Sequence, residues 1–298
     1  MSLVVSEDAL NKLQALMDQV EEESLLRTFQ NVHQGCVTET LMRFLKAREW
    51  NVTKAHKMII DCLNWRVQNE IDNILSKPII PTDFYRGIRD SQLIGLSGYS
   101  REGLPVFAIG VGLSSFDKAS VHYYVQSHIQ INEYRDRVIL PSASKKHGQP
   151  ITTCVKVLDM TGLKLSALNQ IKVVKPLLQE RTRRKVQVLP GCGRDELLKI
   201  MDYASLPHFC RREGSGSSRH SENGNGNGNE NCYSLDHPFH QKLYNHIKEE
   251  SRIQEPVEPI KQGSFHVDFP EPPAEKAEIV KTLESELHKF KISNGTCD

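Results

Sequence analysis

The spacing of apolar residues changes once along this chain, near Pro78, and that change limits the fold more than any single motif. Before it the period is helical. Leu10, Leu13, Met17 and Val20 fall on one stripe, and Leu25, Leu26, Phe29 and Val32 on another. Recurrence at three and four residues marks an amphipathic helix. The spacing predicts four helices, with Ser6, Thr38 and Thr53 capping the first, third and fourth, and Gly35 ending the second. On the fourth, Ala55, Ile59, Cys62 and Arg66 share a stripe. After Pro78 the pattern alternates instead. SQLIGLSGYSREGLPVFAIGVG reads as a hairpin turning at Ser100–Gly103. SVHYYVQSHIQINEYRDRVI reads as a long helix, ITTCVKVLD as a strand, KVQVL as a further strand and GRDELLKIMDY as a short helix. Strand, helix and strand in succession predict a parallel βαβ unit over residues 150–189. The class expected is therefore α/β: an N-terminal helical subdomain, then a lobe with a mixed, largely parallel sheet.

Residues 213–231 contain almost nothing apolar and read as a flexible or disordered linker. Beyond them LDHPFHQKLYNHIKEE aligns Phe239, Leu243 and Ile247, and Ala274–Phe290 aligns Ile279, Leu283, Leu287 and Phe290. The expected domains are 1–75 (helical), 76–212 (α/β lobe), 213–231 (linker) and 232–298 (a partly disordered helical tail).

Lys plus Arg number 38 and Asp plus Glu 37, a net charge of +1. Bulk attraction to nucleic acid is therefore excluded, and any anionic partner must be met by a local patch. The N-terminus lacks the pattern of a signal peptide, and no run approaches the ~20 apolar residues of a membrane span. A soluble, cytoplasmic protein is expected. The cysteines number seven, an odd count without CxxC spacing, so neither a disulfide framework nor a zinc site is indicated. There is no GxSxG, HExxH or Walker loop, and no catalytic residue or metal is expected. Gly191-Cys192-Gly193 opens a helix but lacks a third glycine and a following lysine, so a plain turn accounts for it. His237, His240 and His246 sit on one short helix and read as surface residues.

Two basic clusters stand out. Arg181, Arg183, Arg184 and Lys185 follow an apolar stripe of Ala167, Ile171, Val174 and Leu178, interrupted by Pro176. An apolar helix ending in cations suits an anionic lipid surface. Taken alone, these residues better suit a core-facing helix with a solvated end. Arg43, Lys46 and Arg48 lie on the third helix, where a solvated face opposite Leu41, Phe44 and Leu45 accounts for them.

The segments LMRFLKAREWNVTKAHKMIIDCLNWR, SGYSREGLPVFAIGVG, EYRDRVILPSAS, TTCVKVLDMTGLKLSAL and VVKPLLQERTRRKVQVLPGCGRDELLKIMDYASLP carry a wider likeness. In this order, over residues 36–210, they resemble the CRAL-TRIO lipid-binding family, and within it the Sec-fourteen-like phosphatidylinositol/phosphatidylcholine transfer proteins. The resemblance implies a non-enzymatic monomer that encloses one phospholipid in an apolar cavity. Its ligand takes the place of a cofactor, and its partners are phosphatidylinositol, phosphatidylcholine and an anionic membrane surface at the Golgi or plasma membrane. It implies headgroup contacts at Arg48, Thr182 and Lys185, membrane docking by Arg181, Arg183 and Arg184, and a gate helix carrying Val173, Val174, Leu177 and Leu178. Two departures follow. Cys154 and Lys156 stand where the family places hydroxyl residues against the choline lipid. And VVKPLL follows Lys172 directly, so a strand-plus-helix unit of about 30–40 residues is missing between Lys172 and Val173, with the family's headgroup glutamate. A shortened isoform is implied, either a transfer protein still or a transfer-incompetent interaction protein acting through its N-terminal and Ala274–Phe290 helices.

Overall fold

The computed structural model describes residues 3–163, 184–211 and 231–253. The chain divides into two compact units, one of residues 1–163 and 189–258, the other of 164–188 and 259–298. The regular elements among the described residues belong to the first.

Helices α1 (Leu3–Met17), α2 (Glu23–His33), α3 (Val37–Ala47) and α4 (Val52–Gln68) come first. Their stripes meet in one cluster that includes Leu13, Met17, Phe29, Leu41, Leu45 and Ile59. Each such side chain contributes about 1.5–3 kcal/mol by leaving water. The four helices stand where the period put them, but the caps differ. Helix α1 starts at Leu3, so Ser6 lies inside it, and the residue before α3 is Cys36 rather than Thr38. Helix α4 is capped by Asn51, whose Oδ1 accepts from the Lys54 amide at 2.9 Å. A cap side chain must reach amides two or three residues ahead. Asn51 precedes the first turn and can do so, whereas Thr53 is already within it. Helix α2 ends as expected, at Gln34 in the left-handed region, with Gly35 following at φ 83°.

A short 3-10 turn, Ile71–Ser76, leads out of the helical region. Buried charges tie it to the lobe. The Arg66 guanidinium donates to both carboxylate oxygens of Glu133 at 2.8 and 2.7 Å and to Asp72 at 2.7 Å. Arg137 donates to Glu133 at 3.0 Å and to the Asp72 carbonyl at 2.8 Å, and Asn31 donates to the Asp72 carboxylate at 2.9 Å. Burial alone would lower the Arg66 pKa, but Glu133 and then Asp72 outweigh it and raise it. Each ion here has its complement, which is the condition for tolerating charge out of water.

The lobe opens with α5 (Thr82–Gln92), followed by β1 (Ile94–Tyr99) and β2 (Pro105–Gly110) as an antiparallel pair. Their turn uses Gly103 at φ 80°, a conformation that a Cβ disfavours. Helix α6 (Val121–Tyr134) runs through a π turn (Arg135–Ile139) into α7 (Leu140–His147). Strand β3 (Val155–Asp159) then lies parallel to β2. The parallel crossover is thus β2–α6–β3, upstream of where the sequence pattern placed it. KVQVL forms no strand: Lys185 is in a turn, residues 186–189 join no ladder, and Val188 is 73% exposed. Alternation cannot make a strand by itself, because a strand's hydrogen bonds come from a neighbour. The sheet order is β1-β2-β3. It is mixed, as expected, and among the described residues it has one antiparallel and one parallel pair.

Side chains alternate across a strand. Val106, Val155 and Val157 face one side, against α8 (Arg194–Leu198) and α9 (His208–Arg211). Ile94, Leu96, Phe107 and Ile109 face the other, against α6 and α10 (Pro238–Ile253). The helix expected to begin the tail is therefore built into the core: Phe239, Leu243 and Ile247 are buried with Ile74, Ile94 and Phe107. The segment before it presses on β1 so closely that a Cβ at Gly95 would lie 1.8 Å from the Cys232 carbonyl oxygen. Cys232 packs on one face of β1 and β2 and Phe239 on the other, so the chain changes faces between them. The expected linker, apart from Asn231, and the tail beyond Ile253 lie outside the described residues. Among the described residues, no helix is long and apolar enough to cross a membrane.

Candidate functional site

Arg48 ends α3, half-buried, its Nη1 donating to the Ala47 carbonyl at 3.1 Å. Glu49 and Trp50 follow at φ 53° and 66°, a tight corner that delivers the chain to the Asn51 cap. Arg48 thus sits on a well-determined bend. Arg184 and Lys185 form an exposed turn in the second unit. Arg181, Thr182, Arg183 and the gate residues Val173, Val174, Leu177 and Leu178 lie outside the described residues, as does the Lys172/Val173 seam.

The sheet supplies a feature that the sequence did not announce. Phe107 is in register with Lys156, and Ile109 with Leu158, so these four side chains share a face. On β2 the face is closed: Phe107 is 3% exposed and packs edge-on against Phe239, ring centroids 5.9 Å apart. On β3 it is open: Leu158 is 51% exposed and Lys156 is also exposed. Helices α6 and α10 cover β1 and β2 and stop short of β3. Among the described residues, no strand pairs with the outer edge of β3. An apolar core face that runs out into the open is a surface prepared for a ligand or partner.

Basic side chains border this opening. His128 of α6 is exposed along one side, while the packed protein behind it, and then the charges of Lys156, Arg135 and Arg89, hold its pKa below the ordinary histidine value. Arg135 donates to Asp136 at 2.7 Å and to Asn132 at 2.6 Å. Cys154, just before β3, packs against the same core, and burial pushes its thiol up, so it is a packing group rather than a nucleophile.

Deep in the lobe lies Arg89, 2% exposed. Helix α5 turns it inward with Tyr85 and Ile88. Its guanidinium carbon is 5.1 Å from the centroid of the Tyr85 ring. Nε, Nη1 and Nη2 have no hydrogen-bond acceptor among the described residues. His240 of α10, which the sequence placed at the surface, is likewise 2% exposed. Its Nε2 donates to the Cys232 carbonyl at 3.1 Å, and burial, then the nearby Arg89 charge, lowers its pKa to about 3. The ring is neutral, and Nδ1 carries an unshared lone pair with no donor. Arg89 was legible in one respect: it falls on the inward stripe with Tyr85, Ile88 and Gln92, where an arginine is out of place.

Two other possibilities lose weight on geometry. A cleft of about 710 Å³ beside α5 is lined by Arg86, Asp90, Asp117, Lys118 and Asp236 among others, and so many charges suit no acyl chain. Among the described residues no three His, Cys, Asp or Glu side chains gather closely enough to hold a metal.

Residues 9–61, which span α1 to α4, match the CRAL/TRIO N-terminal domain. The phosphatidylinositol/phosphatidylcholine transfer protein SFH9 of Arabidopsis thaliana is 26% identical over 221 residues, which cover 59% of this chain and 38% of that protein. The protein real-time of Drosophila melanogaster is 24% identical over 179 residues, 55% of this chain and 23% of its own length. The SEC14 cytosolic factor of Eremothecium gossypii is 27% identical over 214 residues, 56% of this chain and 67% of that one. The chain thus spans well under half the length of SFH9 and of real-time. The helical N-terminal region thus matches the CRAL/TRIO N-terminal domain, and the chain as a whole is similar to Sec-fourteen-like proteins.

Proposed function

We propose that this chain binds one phospholipid and carries it between membranes, without catalysis. The observation that carries the reading is the open half of the sheet: the apolar face buried at Phe107 continues to an uncovered Leu158, bordered by Lys156, His128 and Arg135. An acyl chain laid on that face gains about 0.8 kcal/mol for each methylene removed from water. A phosphodiester gains charge-assisted hydrogen bonds from the cations at the edge. Phosphatidylinositol is the favoured ligand, exchanged for phosphatidylcholine. Lys156 and Cys154 at the family's hydroxyl positions favour the anionic lipid over the zwitterionic one.

In this reading Arg48, Thr182 and Lys185 meet the inositol phosphate, the segment with Val173, Val174, Leu177 and Leu178 gates the acyl chains, and Arg181, Arg183 and Arg184 dock on anionic membrane. The protein acts as a monomer at the cytoplasmic face of the Golgi or plasma membrane, where it serves phosphoinositide metabolism and vesicle traffic. The relative SFH9, named as a transfer protein, supports the lipid class. The test is transfer of fluorescent phosphatidylinositol between donor and acceptor vesicles by the full chain. Transfer above the protein-free rate, abolished by Leu158→Glu, is the expected result. A well-folded chain that neither transfers nor binds the labelled lipid would overturn the reading.

A further inference from the structure

The geometry points to a second contact deeper in the lobe: we propose that the Arg89 guanidinium binds an oxyanion, a phosphate or carboxylate, carried by the molecule held on the open sheet face. The proposal rests on the lipid reading above and adds an anchor that the rim residues do not supply.

Arg89 is the exception among its kind. Arg66 and Arg137 are answered by Glu133 and Asp72, and Arg135 by Asp136. Arg89, more deeply buried than these, faces the ring of Tyr85 and a neutral histidine. A π face attracts a cation but satisfies none of its N–H donors. A buried guanidinium is held stably when an anion accepts from it, and its planar fork matches two oxygens of one carboxylate or phosphate.

The neighbours fit the same ligand. The buried Tyr85 hydroxyl has no partner among the described residues and can donate to an anionic oxygen. His240 Nδ1 carries a free lone pair, because Nε2 holds the proton shared with the Cys232 carbonyl, so it can accept from a protonated phosphate oxygen. Donors on α5 and an acceptor on α10 are thus all without partners among the described residues. The route proposed is the open face: the exposed His128 ring feels the charges of both Lys156 and Arg89.

The experiment uses the full chain and isothermal calorimetry with three probes: 1-oleoyl lysophosphatidate, oleyl alcohol and inorganic phosphate. Arg89→Met removes the charge at similar volume, and Arg89→Lys keeps the charge without the fork. The expected result is that Arg89→Met melts no lower than the parent, binds oleyl alcohol equally well, and binds lysophosphatidate about a hundredfold more weakly. Arg89→Lys falls between. Phosphate binding that Arg89→Met abolishes, with no binding of either lipid probe, upholds the oxyanion site but assigns it to free phosphate and defeats the lipid reading. Equal lysophosphatidate affinity in parent and Arg89→Met overturns the Arg89 proposal while leaving the lipid reading intact. So does a marked loss of melting temperature in Arg89→Met, which would reveal a carboxylate of the chain, rather than a ligand, as its partner. A folded parent that binds none of the probes overturns both.

Discussion

Strands β2 and β3 are hydrogen-bonded neighbours in register, yet their shared face meets opposite fates. At Phe107 it is sealed beneath Phe239, and one residue across, at Lys156 and Leu158, it is open. The strands do not differ in kind, since both are short and rich in branched or aromatic residues. The difference is in what lies above them. Helices α6 and α10 bury Ile131, Leu243 and Ile247 with β1 and β2 and extend no further. The closed half is a protein core, and the open half has the same apolar character without a protein cover. In the proposed reading the phospholipid supplies that cover.

That contrast can be broken from either side. The largest effect is expected at the closed half. Phe107→Ala should cost about 3–5 kcal/mol in urea unfolding, because it opens a cavity beneath Phe239. A cost below about 1 kcal/mol would mean that the face is not sealed there. Leu243→Ala tests the cover itself and should cost about 2–5 kcal/mol. A negligible loss would return α10 to the status of an appended tail.

The next effect is a pH dependence. The folded pKa of His240, about 3, lies below its unfolded value, so the unfolded chain takes up the proton first. The stability associated with it is intact above about pH 6.5 and is lost as pH falls from there towards 3, at about 1.4 kcal/mol per pH unit. Comparing the parent with His240→Gln over this range should show the slope reduced in the variant. Identical slopes would place His240 in water and α10 off the sheet. The smallest stability effect is expected at the open half. Leu158→Ser should change unfolding by no more than about 0.5 kcal/mol, as at other exposed positions, while impairing lipid binding. A large loss of stability there would show that Leu158 is core after all.

The helical region and the hairpin could be read from the sequence, whereas the cover over β2 and the opening at β3 could not. A helix stripe is local information, so the stripes through Leu13, Leu41 and Ile59 located α1, α3 and α4, and the hairpin at Ser100–Gly103 announced itself through its turn residues. The caps were misread because a cap depends on where the helix starts by a single residue, which the stripe does not determine; Asn51 rather than Thr53 shows this. KVQVL had the alternation of a strand and no neighbour to pair with. The site was visible only in fragments. Arg48 stood in a cationic cluster, and Lys156 stood out by resemblance. Leu158 carried no signal, because its apolarity does not reveal whether a helix covers it. His240 looked like a surface residue until α10 turned it inward, and Arg89 went unremarked although it falls on the inward stripe of α5.

The central claim is that the open sheet face holds a phospholipid, and native mass spectrometry of the full chain purified from a eukaryotic host tests it most directly. The account expects one chain with one added mass in the phospholipid range, identified as phosphatidylinositol or phosphatidylcholine after extraction and lost in Leu158→Glu. A folded chain at its bare mass, or an adduct that persists in Leu158→Glu, would contradict it.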